Sequence, residues 1–191
     1  MTAIVTGKIT TDNHILQLLA LQQKNLKKNI SDEEMKEQGF VTVEHDFDKI
    51  KSMNASLPQI VAFNQNVVVG YALSMPLTFK NIIPELTPMC ELLEELEYEG
   101  KSFKEYKYYI MGQICIDKSA RGIGVFQMLY LEHAREFGEQ FDFIVTEVSI
   151  HNKRSMRAHE KIGFVKIHEY YDPENNDTWA VVIWNFKTPS T

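Results

Sequence analysis

The chain has 191 residues, a length that suits one compact domain with a sizeable core. Hydrophobic residues make up 44% and charged residues 24%, which excludes a disordered or collagen-like chain. The formal net charge of −6 argues against nucleic acid and anionic membranes as partners, because both carry negative charge. Apolar runs fall short of the about 20 residues that span a bilayer, and residues 1–14 lack the pattern of a secretory signal. Two cysteines without a Cys/His cluster predict a reduced, cytoplasmic protein that holds no metal.

The first part of the chain predicts a strand, a helix and a hairpin. Residues 3–9 are predicted as a strand, and Thr11 offers an N-cap for a helix with apolar residues at helical spacing. Residues 29–54 are polar and predict one or two short helices around Gly39 and Phe40. The β-rich runs at 59–63 and 67–75 flank a polar turn, the pattern of a hairpin.

Residues 76–107 are irregular, and we interpret them as an insertion or lid segment of the single domain 1–191. Pro88 opens a predicted short helix that carries one apolar face. Within this segment, residues 85–99 contain six acidic residues and no Lys or Arg, namely Glu85, Glu91, Glu94, Glu95, Glu97 and Glu99. A solvated helix face is the favoured explanation, and an acidic lid for a cationic substrate is the alternative.

The second half alternates strands and helices. The predicted strands cover 108–117, 143–150, 165–170 and 179–186, and the predicted helices cover 125–138 and 152–162. Gly163 ends the second of these helices. This order predicts an α/β fold of the α+β type, with a mixed sheet and helices on its faces.

The segment at residues 114–126 carries the strongest chemical signal. A strand runs into a glycine-containing turn that opens an amphipathic helix, so backbone N–H groups at the helix start can bind an anion. Gly122 and Gly124 remove the Cβ atoms that would keep a diphosphate away, and Arg121 can add a charged contact to a phosphate oxygen. The P-loop pattern is absent, and the dinucleotide pattern lacks its third glycine.

In these residues the chain resembles the GNAT superfamily of acetyl-CoA-dependent N-acetyltransferases. The family's diphosphate loop, Arg/Gln-x-x-Gly-x-Gly/Ala, is matched from Arg121 onward except at Phe126, where Gly or Ala is usual. A second family signature, an Asn followed by a short helix and Gly-Phe, is matched from Asn152 to Phe164. The resemblance implies a mostly antiparallel central sheet with a splayed strand pair, flanked by helices.

The resemblance also implies which residues bind the acyl donor, acetyl-CoA. The backbone of Cys115, Ile116 and Asp117 would pair with the pantetheine arm. The N–H groups of the next stretch would hold the diphosphate, namely Gly122, Ile123, Gly124, Val125 and Phe126. Asn152 would hydrogen-bond the pantetheine with help from Ser155, although Asn152 is equally placed to be a plain N-cap.

Two residues are candidates for catalysis. His159 stands where the family has a Tyr that protonates the departing thiolate, and the alternative is a packed helix histidine without a catalytic part. Glu147 is the leading candidate for the base that deprotonates the substrate ammonium, because burial among apolar neighbours would raise its pKa. The alternative for Glu147 is a solvent-facing or paired carboxylate, which is slightly favoured. Cys115 is interpreted as a buried strand cysteine and not as an acyl-carrying nucleophile.

Together these features predict an enzyme that moves an acetyl group from acetyl-CoA to a primary amine by direct attack in a ternary complex. A backbone N–H of the 108–117 strand would stabilise the oxyanion. A small-molecule amine is the favoured acceptor, and a protein N-terminus or lysine is the weaker alternative. A catalytically silent acyl-CoA-binding sensor is the rival function. The sequence determines neither the length of the transferred acyl chain nor whether two copies of the protein form a homodimer.

Overall fold

A computed structural model describes residues 3–31, 33–35, 40–80, 83, 86–173 and 176–186. The chain forms two compact units. The first unit consists of Met1–Met75 and Met111–Glu136, and the second consists of Pro76–Ile110 and Phe137–Thr191. The assignment of all 191 residues to one domain stays a prediction.

The described part of the chain contains nine strands and five α-helices. The strands are β1 (Ile4–Lys8), β2 (Ile60–Asn64), β3 (Val67–Met75), β4 (Glu97–Tyr98), β5 (Lys101–Ser102), β6 (Tyr108–Ile116), β7 (Phe143–Ser149), β8 (Val165–Asp172) and β9 (Asp177–Asn185). The α-helices are α1 (Asp12–Asn25), α2 (Phe47–Ser56), α3 (Thr87–Glu95), α4 (Val125–Phe137) and α5 (Lys153–Lys161). Short 3-10 helices occur at Lys27–Asn29, Leu77–Phe79, Phe103–Glu105 and Lys118–Ala120.

The sheet strands follow the hydrogen-bonded order β1-β2-β3-β6-β7-β9-β8, and β6 contributes residues to both units. The pairs β1–β2, β2–β3, β7–β9 and β8–β9 are antiparallel, whereas β6–β7 is parallel. Among the described residues, the parallel pairing covers the three pairs from Tyr108–Phe143 to Ile110–Val145, as expected for a splayed pair. The predicted α/β fold with a mixed, mostly antiparallel sheet flanked by helices is confirmed.

The first unit is built on β1, β2, β3 and the later part of β6. Helix α1 packs on β3, and α2 packs on α1. Thr11 caps α1 as predicted, because its side chain accepts a hydrogen bond from the His14 N–H. Fully buried Leu18, Ile50 and Leu73 belong to the core of this unit.

Residues 29–54 were predicted to hold one or two short helices, and in this range residues 33–35 are helical and α2 begins. Helix α2 begins at Phe47, because the Asp46 side chain accepts from the Lys49 N–H and so caps the first turn. Gly39 lies outside the described residues. The small β4–β5 hairpin in the insertion was not predicted from the sequence.

The second unit has an aromatic core and one irregular strand. Phe143 packs against Phe103 and stacks on Tyr108, with ring centroids 5.3 and 5.4 Å away. Strand β8 contains a bulge between Lys166 and His168, so one extra residue stands opposite β9. Beyond the bulge, Tyr170 pairs with Trp179 of β9, which pairs in turn with Ser149 of β7.

Candidate active site

The glycine turn of the first unit forms an open backbone cradle. Gly122 and Gly124 have φ angles of 76° and 87°, in the left-handed region that favours glycine. A Cβ atom at either glycine would meet no heavy atom within 4 Å in the described part of the chain. Helix α4 follows at Val125, and its first backbone N–H groups have no helical acceptor. The turn therefore offers N–H donors and space for an anion.

Arg121, at the start of this turn, is bound within its own unit. Its Nε atom donates to the Ile116 carbonyl at 3.0 Å, and its Nη2 donates to the Asn25 side chain at 2.8 Å. Its Nη1 lies 3.9 Å from the carboxylate of Glu34. These contacts fasten the turn to β6 and α1. Contact between Arg121 and a phosphate stays a prediction.

Some of the groups predicted to face a pantetheine arm are already used within the first unit. The Asp117 N–H donates to the Val69 carbonyl at 2.8 Å, and the Ile116 carbonyl accepts from Arg121. The Asp117 side chain caps the Lys118–Ala120 turn by accepting from the Ser119 N–H. Phe126, which departs from the family pattern, packs its ring 5.1 Å from that of Tyr130.

Cys115 is buried, as predicted, and is not prepared to act as a nucleophile. Burial raises the pKa of its thiol to about 12, so the thiol stays protonated at neutral pH. The nearby Tyr71 hydroxyl, itself fully buried, has a pKa well above its ordinary value for the same reason.

The first unit also contains a network of neutral side chains, which we call the Gln113 network: Tyr71, Gln113 and Gln22. The Tyr71 hydroxyl donates to Gln113 Oε1 at 2.5 Å, and Gln22 Nε2 donates to the same oxygen at 3.2 Å. Gln113 Nε2 donates to the Val43 carbonyl at 2.8 Å, and the His45 N–H donates to Gln22. These bonds join β3, β6, α1 and the segment before α2 without any buried charge.

Glu147 forms the centre of a second cluster, in the second unit. Strand β7 places it on the same face as Phe143 and Val145, where it is partly buried. Its Oε2 accepts a 2.6 Å hydrogen bond from the Tyr170 hydroxyl. Burial raises the pKa of Glu147 to about 7, helped by the negative charge of Asp172 and opposed by the Tyr170 hydrogen bond. Such a carboxylate can take up a proton near neutral pH.

The insertion adds a thiol to the surroundings of Glu147. Cys90 lies on α3, is buried, and has a pKa raised to about 11, mainly by burial and next by the charge of Glu147. Of the acidic residues noted in the sequence, Glu94 does have a partner, since Lys80 donates to it at 2.6 Å. Glu85 lies outside the described residues, and the role of 76–107 as a lid stays a prediction.

The predicted residues of α5 form a local structural motif. Asn152 is the N-cap of the helix, and its side chain accepts from the Ser155 N–H at 3.0 Å. His159 Nδ1 lies 2.8 Å from the Ser155 carbonyl, which can only accept, so Nδ1 carries the proton. Burial lowers the pKa of His159 to about 4. At neutral pH its other nitrogen is therefore unprotonated, which favours the packed-histidine alternative over a proton donor.

His159 and Glu147 lie on opposite faces of the second unit's sheet. The His159 ring is 4.9 Å from that of Phe164, which stacks 6.1 Å from Trp184. Trp184 pairs with Ile144, whose side chain points to the face opposite Glu147. The sequence pointed to Glu147 but not to its neighbours: Tyr170 was interpreted as an edge-of-core aromatic, and Asp172 and Cys90 were not identified. A repeated apolar spacing marks α3, but no spacing signal connects β8 to β7.

Within the described residues, no cluster of three or more His, Cys, Asp or Glu side chains could hold a metal ion. No described helix combines the length and apolar character needed to cross a bilayer.

Solved acetyltransferase structures have the same fold as this chain. A putative acetyltransferase from Acinetobacter baylyi has a TM-score of 0.64 and 16% identity, over 99% of this chain and 96% of its own. A putative acetyltransferase from Salmonella typhimurium, solved with its cofactor acetyl-CoA, has a TM-score of 0.62 and 11% identity over 99% and 97%. The ribosomal-protein-S18-alanine N-acetyltransferase from Escherichia coli has a TM-score of 0.62 and 8% identity over 98% and 96%.

No curated protein matches the sequence. The model of the acetyltransferase (GNAT) family matches residues 20–164, which include the glycine turn, Glu147 and the Asn152–Phe164 signature. Since this match covers most of the chain, the protein belongs to the GNAT acetyltransferase family.

Proposed function

We propose that this protein is an N-acetyltransferase that moves the acetyl group of acetyl-CoA to a primary amine by direct attack in a ternary complex. The observation that carries the proposal is the partly buried Glu147 carboxylate, which the Tyr170 hydroxyl holds at 2.6 Å. Burial raises the pKa of this carboxyl to about 7, which suits it to accept a proton. A carboxylate fully exposed to water would have a pKa near 4.3 and would be a weaker base. We keep the cytoplasm as the proposed location and a small amine as the proposed acceptor.

The glycine turn fits the diphosphate of acetyl-CoA. The space in front of Gly122 and Gly124 lets phosphate oxygens approach the backbone, and the start of α4 favours negative charge. The proposed N–H donors are those of Gly122, Ile123, Gly124, Val125 and Phe126. Ile123 is 58% exposed, so its backbone is accessible from solvent. We also propose Cys115, Ile116, Asp117, Asn152 and Ser155 as pantetheine contacts.

The bound acetyl-CoA supplies an acyl group with a thiolate as leaving group. A thiol has a pKa near 8.5, so its departure needs only modest acid assistance. His159 is therefore not required as a strong acid, which agrees with its low pKa and its Nδ1 bond to Ser155.

Glu147 then performs the demanding proton transfer. A primary ammonium has a pKa near 10, so at neutral pH it must lose a proton before its nitrogen can attack. Glu147 accepts that proton, directly or through one water. Its partial burial and its bond to Tyr170 keep the carboxylate in one orientation.

Turnover with a panel of amines tests the proposal. Purified protein is incubated with acetyl-CoA and small amines, with peptides that begin with alanine, and with lysine peptides, while free thiol is measured. The alanine peptides are included because the E. coli structural neighbour is named as an S18-alanine N-acetyltransferase. We expect turnover on at least one amine class.

Two matched variants identify the base. Glu147→Gln should reduce kcat by about 10²- to 10⁴-fold, since a general base typically contributes that much. Glu169→Gln, which removes an exposed carboxylate paired with Lys166 on β8, should leave kcat unchanged. Tight acetyl-CoA binding by calorimetry without turnover on any amine would instead support the rival function, a silent acyl-CoA-binding sensor.

A further inference from the structure

Tyr170 occupies a specific place relative to Glu147. It lies on β8, with β9 between it and β7, and the register Ser149–Trp179–Tyr170 puts it on the face that carries Glu147. The bond between the Tyr170 hydroxyl and Glu147 Oε2 is 2.6 Å long, within the range of strong O–H···O⁻ bonds. A side chain 23 residues away in sequence thus fixes one oxygen of the proposed base.

We propose that Tyr170 is a positioning residue for acetyl transfer: its hydroxyl holds Oε2 of Glu147, and Oε1 is left to accept the proton of the acceptor amine. This inference rests on the proposed function. Tyr170 is not itself a base at neutral pH, since burial, together with the charge of Glu147, raises the pKa of its phenol well above 10. Its hydroxyl therefore stays a donor throughout the reaction.

The hydrogen bond also sets the pH at which Glu147 becomes available. It favours the ionised carboxylate, whereas burial and the charge of Asp172 favour the protonated form. The other groups that face this pair are the Cys90 thiol on α3 and, across β9 in the register, His168 on β8. Removal of the Tyr170 hydroxyl should therefore raise the pKa of Glu147, while Asp172, Cys90 and His168 stay in place.

The chain provides a close control in Tyr171. It is the next residue on β8, points to the opposite face, is 58% exposed, and donates its hydroxyl hydrogen bond to Asn176. Tyr170→Phe and Tyr171→Phe each remove one hydroxyl and keep the ring. Melting temperatures of both variants show whether the fold is retained.

Two measurements test the inference. The first is the pH profile of kcat/KM for the acceptor amine, with KM for acetyl-CoA measured alongside. In Tyr170→Phe we expect the acidic limb to move up by about one pH unit, since a hydrogen bond to a charged group is lost. The rate should then fall about tenfold on the acidic side and recover at higher pH. Tyr171→Phe and the KM for acetyl-CoA should not change.

The second measurement is independent of turnover. The side-chain carboxyl carbon of Glu147, assigned by its loss in Glu147→Gln, is titrated by NMR in protein labelled with ¹³C-glutamate. An upward pKa shift in Tyr170→Phe but not in Tyr171→Phe supports the inference even if no amine reacts, in which case the proposed function fails alone. An unchanged Glu147 titration, or a rate loss of equal size at every pH, would overturn the positioning role.

Discussion

The Gln113 network of the first unit and the Glu147 cluster of the second solve the burial of polar groups in different ways. The network joins amides and a phenol whose hydrogen bonds need no ionised group. Burial keeps its Tyr71 and the adjacent Cys115 protonated at neutral pH. The Glu147 cluster instead buries a carboxylate next to a second one, Asp172, and holds it with a single phenol.

This difference means that the Gln113 network makes its unit rigid, whereas the Glu147 cluster provides a group that can react. Satisfied neutral networks fix backbone geometry and respond little to pH, which suits a turn that binds through its N–H groups. A carboxylate that is partly desolvated titrates near neutral pH and can exchange a proton with a substrate. We therefore expect coenzyme affinity to vary little between pH 6 and 8, while turnover changes steeply.

The largest expected effect runs against this comparison, because it makes the first unit sensitive to pH. We expect the protein to lose stability in acid through His133 of that unit. His133 is fully buried, and burial lowers its pKa to about 3. The unfolded chain, with a His pKa near 6.5, then binds the proton more strongly than the folded chain. The contribution of His133 to stability should fall by about 1.4 kcal/mol for each pH unit below 6.5 until about pH 3.

Urea unfolding at pH 7 and pH 4.5 measures this effect. In His133→Gln the loss of stability between the two pH values should shrink by about 2 to 3 kcal/mol. His151→Gln, at a side chain that is 76% exposed, should keep the pH dependence of the original chain. An equal dependence in both variants would show that His133 is not the titrating group.

The second effect concerns Glu147 and has the opposite sign. Its pKa is raised to about 7 in the folded chain, so its ionisation destabilises the fold as the pH rises from about 4.5 to 7. Glu147→Gln should therefore be more stable than the original chain at pH 8, by about 3 kcal/mol, and of equal stability at pH 4.

Thermal or urea unfolding at both pH values checks this, with Glu169→Gln as the exposed control. If Glu147→Gln is more stable but turns over more slowly, Glu147 serves catalysis and lowers the stability of the folded protein. A Glu147→Gln protein that is less stable at pH 8 would contradict the raised pKa.

The third effect tests the proposed diphosphate site by comparing two glycines that have the same φ angle. Gly122 in the turn and Gly100 in the β4–β5 hairpin both have a φ of 76°, and neither has a heavy atom of the described chain within 4 Å of an added Cβ. Alanine should destabilise the fold about equally at both sites, by about 1 kcal/mol, because of the left-handed backbone.

Only Gly122→Ala should weaken acetyl-CoA binding, by about tenfold or about 1.4 kcal/mol, because its methyl group enters the anion cradle. Calorimetric titration of both variants gives the answer. Equal affinity of the two variants for the coenzyme would mean that the turn is not the diphosphate site.

The smallest effect compares two helix caps. Asp46 caps α2 in the first unit, and Asn152 caps α5 in the second. Alanine at either position should lower the free energy of unfolding by about 1 kcal/mol. With Asn152 also in contact with pantetheine, Asn152→Ala should reduce the affinity for the coenzyme and the alanine variant of Asp46 should not. Equal affinity of both variants would show that Asn152 acts only as a helix cap.

Local patterns in the sequence were enough to predict most strands, most helices and the glycine turn. A strand, a left-handed glycine pair and a helix start depend on neighbouring residues, so Gly122 and Gly124 could be identified directly. Glu147 could be named because its strand neighbours are apolar. The start of the helix at Phe47 could not be predicted within residues 29–54, since polar segments carry little periodicity and only the Asp46 cap marks it.

The partners of these residues could not be predicted, because they depend on register. Simple alternation from Val165, which pairs with Ile183, would put Glu169 on the Glu147 face of β8. The bulge after Lys166 reverses the alternation and places Tyr170 there instead. In the same way, the contacts of Arg121 with Asn25 join residues 96 positions apart, which no local motif encodes.

The bulge has a further consequence for how this family member can change. Because β8 is the last strand in the sheet order, it pairs within the described residues with β9 alone and can absorb an insertion or deletion at low cost. Loss of the extra residue would leave Tyr170 opposite Trp179, whereas closure of the bulge with every residue retained would place the Glu169 carboxylate beside Glu147 instead of the phenol. An edge strand of this kind gives evolution, or a protein engineer, a way to retune the reactivity of an inner residue without touching the strand that carries it.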